Sequence, residues 1–377
     1  MKKDQIVAST LIFYLLLISC SIEETKNQVI DLSKVESITP NELIIFNSID
    51  SLYFGYLGIN SFPQKDGSFI LGVQTPSHLV HVCEDGKKII GLTSTGRGPG
   101  EISEIGIPTL GEDSTINIYD RNKKSNVTFD SSLKPIDEFQ ISSNQDLYVD
   151  VIYQINEDNY LIEMNSIKWI IDSDESKYLV FSIFNKATNN YGKTVKFLDR
   201  QYAQTENPMP PPPVKPYANH LGSDRAISYS EKQMYTFSKT RESMFLYNTG
   251  SNEIVEVDFN FDTLKTIDVS LPTEEITESE IDSIKKKIQE PDALRNLVSR
   301  LPNWKTPIER MLIDHKNRFW LKLNLRGDYE KWIIMNQDGI VEKFVNLPKN
   351  SFLTHVSERH LGIRLDDTTF GLFLAIE

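Results

Sequence analysis

Six histidines, His78, His81, His220, His315, His355 and His360, and two cysteines, Cys20 and Cys83, are the side chains best suited to metal ligation or nucleophilic attack. Their spacing matches no metalloprotease helix, nucleophile elbow, phosphate-cradling loop or dinucleotide fingerprint. His78 and His81 form the one close pair. On an extended strand an odd separation puts two side chains on opposite faces, so a shared metal would need a bend between them. Acidic turns such as residues 172–175 lack the regular oxygen spacing of a dedicated calcium loop and read as solvated hairpin tips. No catalytic residue, metal site or cofactor is assigned from the sequence. Arg97 and Glu101 are the candidate ligand-face residues: a glycine-rich turn should hold them near the axis of the fold, with an ion pair between them as the bland arrangement.

The first 20 residues bear on where these groups work. Lys2 and Lys3 precede an apolar run over residues 6–18, which ends at Ser19 and Cys20. This is the layout of a secretory signal, and it falls short of the roughly 20 apolar residues of a spanning helix. Leu17-Ile18-Ser19-Cys20 resembles the bacterial lipobox. That resemblance implies a thioether-linked lipid on Cys20, removal of residues 1–19 and a membrane partner through the lipid. Ser21-Ile22-Glu23-Glu24 loosely resembles the surface-export signals of Bacteroidetes lipoproteins. The expected location is the cell envelope, at the outer membrane, with residues 20–40 as a tether. Lipidation would leave Cys83 as the single thiol. It sits in Leu79-Val80-His81-Val82-Cys83 and reads as a small core hydrophobe.

Composition narrows the field further. The chain has 377 residues, 39% of them hydrophobic and 25% charged, which suits a globular protein with a large core. A net charge of −13 disfavours nucleic acid as a partner, because the surface potential repels phosphate backbones.

From Ser61 onward, apolar runs of four to seven residues alternate with turn clusters such as Lys65-Asp66-Gly67, Glu84-Asp85-Gly86 and Gln337-Asp338-Gly339. These are hairpin signals. The clearest unit, residues 62–93, is a four-stranded meander, and similar units fall at 107–141 and 309–347. Weaker ones lie at 147–198 and 220–262, and a last one at 351–377. About 40 residues and four strands per unit is the period of propeller blades. The last unit holds three strands, so an N-terminal strand over residues 43–46 is expected to close the ring and cover its open edge. The predicted fold is all-β, a six-bladed β-propeller over residues 41–377 with a helical insertion at about 273–301. Thr277 and Glu280 form a capping box there, and Ile281, Ile284 and Ile288 a stripe expected to pack on the propeller. Residues 208–216 should form a stiff polyproline stretch.

Gly96-Arg97-Gly98-Pro99-Gly100-Glu101 is similar to the turn between blades in NHL-like six-bladed propellers, especially lipoproteins of Bacteroidetes carrying domains of unknown function. The resemblance covers roughly residues 40–377 and implies a fold more firmly than a function. Two function classes follow as expectations. One is an anchored binding or scaffold module for a glycan, a peptide or an envelope protein. The other is a propeller-type hydrolase or lyase with its site at the central channel, its groups drawn from several blades.

Overall fold

The computed structural model of the chain describes residues 29–75, 77–142, 147–166, 176–201, 229, 231–238, 240–286 and 291–376. Cys20 and its signal segment, His220, the acidic turn at 172–175 and the proline run at 208–216 lie outside these residues. Six antiparallel sheets follow one another along the chain, each beginning with its inner strand. The inner strands are Tyr56–Pro63, Thr109–Leu110, Leu147–Gln154, Gln233–Ser238, Ile308–Ile313 and Phe352–Val356, for blades one to six. Among the described residues no helix is long and apolar enough to cross a membrane.

The apolar runs become strands buried on both faces because blades stack face to face. Ile116–Asp120 and Ser125–Phe129 are buried throughout, whereas outer strands such as Ile89–Leu92 alternate between half-buried and exposed. Blade four runs from Gln233 to Asp268 instead of the expected 220–262. Its outer strand Thr263–Asp268 is exposed at all but one position, so it carries no apolar run to mark it.

Ring closure follows the expectation. Glu42–Phe46 pairs antiparallel with Phe370–Leu374, completing blade six with the N-terminal end of the chain. The stretch just before it is less free than a tether. Ser37 and Ile38 pair in parallel with Phe344 and Val345 as a fifth strand of blade five, and Ile30, Leu32 and Ile38 pack on the cores of blades four to six. Apolar residues at 30, 32 and 38 are what a solvated linker would not spend.

The recurrent aspartates are explained by the hairpins they start. Asp66 accepts from Ser68, Asp258 from the amides of Asn260 and Asp262, and Asp366 from those of Thr368 and Thr369. These bonds hold all three carboxyls below their ordinary pKa. The chief cause is Ser68's hydroxyl for Asp66, Asp262's amide for Asp258 and Thr368's amide for Asp366. Cys83 departs from its expected core position. It lies past the end of strand Ser77–Val82, half-exposed, and its Sγ donates to Asp85 Oδ1 at 2.8 Å.

The insertion between blades four and five contains helices α1 (Glu278–Lys285) and α2 (Pro291–Arg300). The Thr277–Glu280 capping box forms as expected. Of the apolar stripe, Ile284 packs with Leu294, Leu301 and the fully buried Leu297 in a small cluster of the insertion's own, and Ile288 lies outside the described residues. A buried lysine ties this insertion down. Lys305 Nζ lies 2.6 Å from Glu280 and 3.4 Å from Glu274. Burial alone would raise the Glu280 carboxyl, but Lys305 and the Thr277 cap outweigh it and pull it down to about 2.

Candidate functional site: the central channel

Around the axis the six inner strands enclose a cavity of about 1110 Å³, and each of them contributes to its wall. Four of those strands slip register against their neighbours, between Leu57 and Ser61, Val149 and Val151, Ile308 and Arg310, and Leu353 and His355. Such irregularities re-aim side chains and concentrate beside functional sites.

One side of the wall is aromatic. Tyr153 and Phe237 have ring centroids 4.1 Å apart, and Tyr235 meets Phe181 edge-on at 5.0 Å. Tyr235 Oη donates to Glu163 Oε2, so its single proton is committed, and the Tyr153 hydroxyl at 3.1 Å must donate to Tyr235 in turn. Burial, then the Glu163 charge, pushes both phenols well above their ordinary pKa. They stay protonated, and the Tyr153 oxygen keeps lone pairs for a ligand's hydroxyl or amide.

Across the ring, blades five, six and one supply Arg310, Thr354 and Ser61. Arg310 stacks on the Phe352 ring at 3.6 Å and donates to the Leu353 carbonyl at 2.5 Å. Ser61 Oγ touches both Thr354 Oγ1, at 2.5 Å, and His355 Nδ1. A serine beside a histidine at a cavity wall invites a nucleophilic reading, and the proton count answers it. Thr354 donates to the Gly362 carbonyl, so it accepts the Ser61 proton, and His355 Nδ1–H must point at Ser61. Burial, then His360, holds His355 well below its usual pKa. The pair is a wall brace and not a nucleophile with its base.

No family model matches the sequence, and no curated protein matches it. Solved structures do. A member of the DUF4221 family from Bacteroides vulgatus is 11% identical, with 91% of this chain and 98% of that one covered and a TM-score of 0.54. Virginiamycin B lyase from Staphylococcus aureus is 9% identical over 88% of this chain and 99% of its own, with a TM-score of 0.45. The RRP9 WD40 repeats are 8% identical over 89% and 99%, also at 0.45. This chain is a six-bladed β-propeller. At these identities the likeness carries the fold, and it meets the expected resemblance to Bacteroidetes propellers at that level.

The glycine-rich turn that suggested the resemblance proves to be a clamp between blades one and two. Gly98 N–H donates to Glu101 Oε2 at 2.8 Å, and Gly96, at φ +158°, leaves no room for a Cβ beside that carboxylate. Lys123 Nζ bonds the carbonyls of Gly98 and Glu101 and pairs with Glu138, which also receives the Gly100 amide. Glu101 is thus occupied by the turn, and the ion pair expected with Arg97 does not form. Arg97 is exposed, and neither residue lines the channel. His78 and His81 lie on an unshifted ladder with Phe69–Thr75 and face opposite ways, as their spacing implied. Their partners differ too, His78 Nδ1 meeting the Thr93 carbonyl and His81 Nε2 the Ser68 hydroxyl.

The channel groups Tyr153, Glu163, Tyr235 and Arg310 were not singled out by sequence. Each belongs to a different strand, so local spacing holds no trace of their meeting. The one available signal was a charged Glu309-Arg310 step inside an apolar inner strand, which strand burial alone would not tolerate.

Proposed function

We propose that this chain is a lipid-anchored binding module of the bacterial envelope whose central channel receives a small or extended organic ligand such as a glycan or a peptide segment. The observation that carries this reading is the cavity of about 1110 Å³ walled by all six inner strands. Ligand sites commonly enclose about 300–1,000 Å³, apolar for the most part with a few fixed polar groups. An aromatic side and an Arg310 side fit that description. The hydrolase or lyase alternative is favoured less, because Glu163 and Ser61 are both held in hydrogen bonds that commit the nearby protons.

Thr236, half-buried on the inner strand of blade four, lines the cavity, so a tryptophan there projects into it and narrows it from within. Titrating the full chain with glycans and peptides should raise its melting temperature, and Thr236→Trp should remove that shift while folding normally. Equal shifts in both proteins would end the channel reading. The anchor is tested separately. Cys20→Ala is expected to move the protein from the membrane to the soluble fraction of cells and to remove the mass of an attached lipid. A variant that stays in the membrane fraction refutes lipidation at Cys20.

A further inference from the structure

We propose that the channel recognises its ligand through a carboxylate, which Arg310 receives where blades five and six meet. This rests on the channel-binding reading and adds the chemical class of the ligand.

Arg310 lines the cavity, yet no carboxylate reaches it among the described residues. Its neighbour Glu309 is taken by Lys322, whose Nζ lies 2.7 Å from Glu309 Oε2. Glu163 is held by Tyr235. The second arginine nearby, Arg364, sits 5.3 Å from the same Phe352 ring, donates to the Leu57 carbonyl and has its own partner, Asp367, at 3.7 Å. A guanidinium has five N–H donors, and Arg310 gives one bond to Leu353. Enclosing a charge without a counter-charge is unfavourable. Burial, then the Arg364 charge, pushes the Arg310 pKa down to about 9, far from its ordinary value. Such an arginine is pre-set for an anion that arrives with the ligand, and its planar fork matches a carboxylate in two parallel bonds. Phosphate is the other candidate anion. The cavity wall carries Glu112, Glu163, Glu242 and Glu309 against Lys232 and Arg310, a net negative set whose field disfavours a dianion more than a monoanion.

Calorimetry on the full chain with phenylacetate, glucuronate and inorganic phosphate, and with phenylacetamide and glucose as uncharged counterparts, tests this. The two carboxylates should bind at least tenfold tighter than their counterparts, and Arg310→Gln should erase the difference. Carboxylates that bind Arg310→Gln as well as the parent overturn the proposal, as does Arg310-dependent binding confined to phosphate. If ligands bind and Thr236→Trp blocks them without any dependence on Arg310, the channel reading stands and the carboxylate inference falls. If Thr236→Trp blocks nothing, the channel reading itself falls. A ligand-free measurement separates recognition from support. Arg310→Met keeps the stem and removes the unpaired charge, so its melting temperature should equal or exceed the parent's. A fall of several degrees would make Arg310 a structural strut and refute the assignment.

Discussion

Asp314→Ala is expected to cost about 3–5 kcal/mol of folding stability, the loss associated with stripping a partner from a buried charge network. The Asp314 side chain is fully buried, and its two oxygens serve four donors. Oδ1 receives the amides of Lys316 and Arg318, closing the first hairpin of blade five. Oδ2 receives Arg318 Nε at 2.8 Å and the Trp320 indole N–H at 3.1 Å. Alanine leaves all four without that acceptor, and Arg318 keeps only a longer contact to Glu342 at 3.5 Å. Trp320 itself is wholly buried in the core shared by blades five and six, so an unsatisfied indole there cannot turn to water. Asp314→Asn retains one turn-closing oxygen and should lose less. Chemical denaturation of the three proteins checks the order, and a loss below about 1 kcal/mol for alanine would show that Arg318 and Glu342 carry the corner instead.

The same hairpin shows what the sequence made legible. Acidic or amide residues opening tight turns between apolar runs fix where strands end, because the side-chain oxygen satisfies amides that the turn would otherwise expose. Asp66, Asp130, Asp258, Asp314 and Asp366 all do this, and the blade count follows from the four-stranded units of about 40 residues that such turns punctuate. Legibility fails where a strand lacks an apolar run, as at Thr263–Asp268, and where a strand is only two residues long, as at Ser37–Ile38. The channel was hidden for a different reason. Tyr153 and Tyr235 are 82 residues apart, and Ser61 meets His355 across 294 residues. Circular topology creates those contacts, and nothing local encodes them. The glycine-rich turn misled in an instructive way. Its composition signalled a tight crossing correctly, but the same tightness consumed Glu101 as an acceptor and set the turn against Lys123, Pro135 and Glu138, away from the axis.

Removing the closing strand should have the second large effect. A chain that starts at residue 47 lacks Glu42–Phe46, and blade six then presents Phe370–Leu374 as an open edge. It also loses Phe46, whose ring lies 5.6 Å from Phe370, 6.1 Å from Phe54 and 6.3 Å from Phe69, bridging blades six and one. The expected result is loss of the cooperative unfolding transition and aggregation through the exposed edge. A chain that starts at residue 41 keeps the closing strand but loses the parallel fifth strand at Ser37–Ile38 and the packing of Ile30, Leu32 and Ile38, and should unfold cooperatively at a lower midpoint. Size-exclusion chromatography with thermal denaturation of both separates the two contributions. Equal, monomeric behaviour of the two chains would mean that three strands suffice for blade six. The contrast follows from geometry. A fifth strand adds backbone bonds at the rim of a sheet already complete, whereas the closing strand joins Phe46 to Phe370 and makes opening any one blade interface a matter for the whole ring. That coupling also keeps the channel wall continuous, since Ser61 in blade one meets Thr354 and His355 in blade six only while the ring is shut.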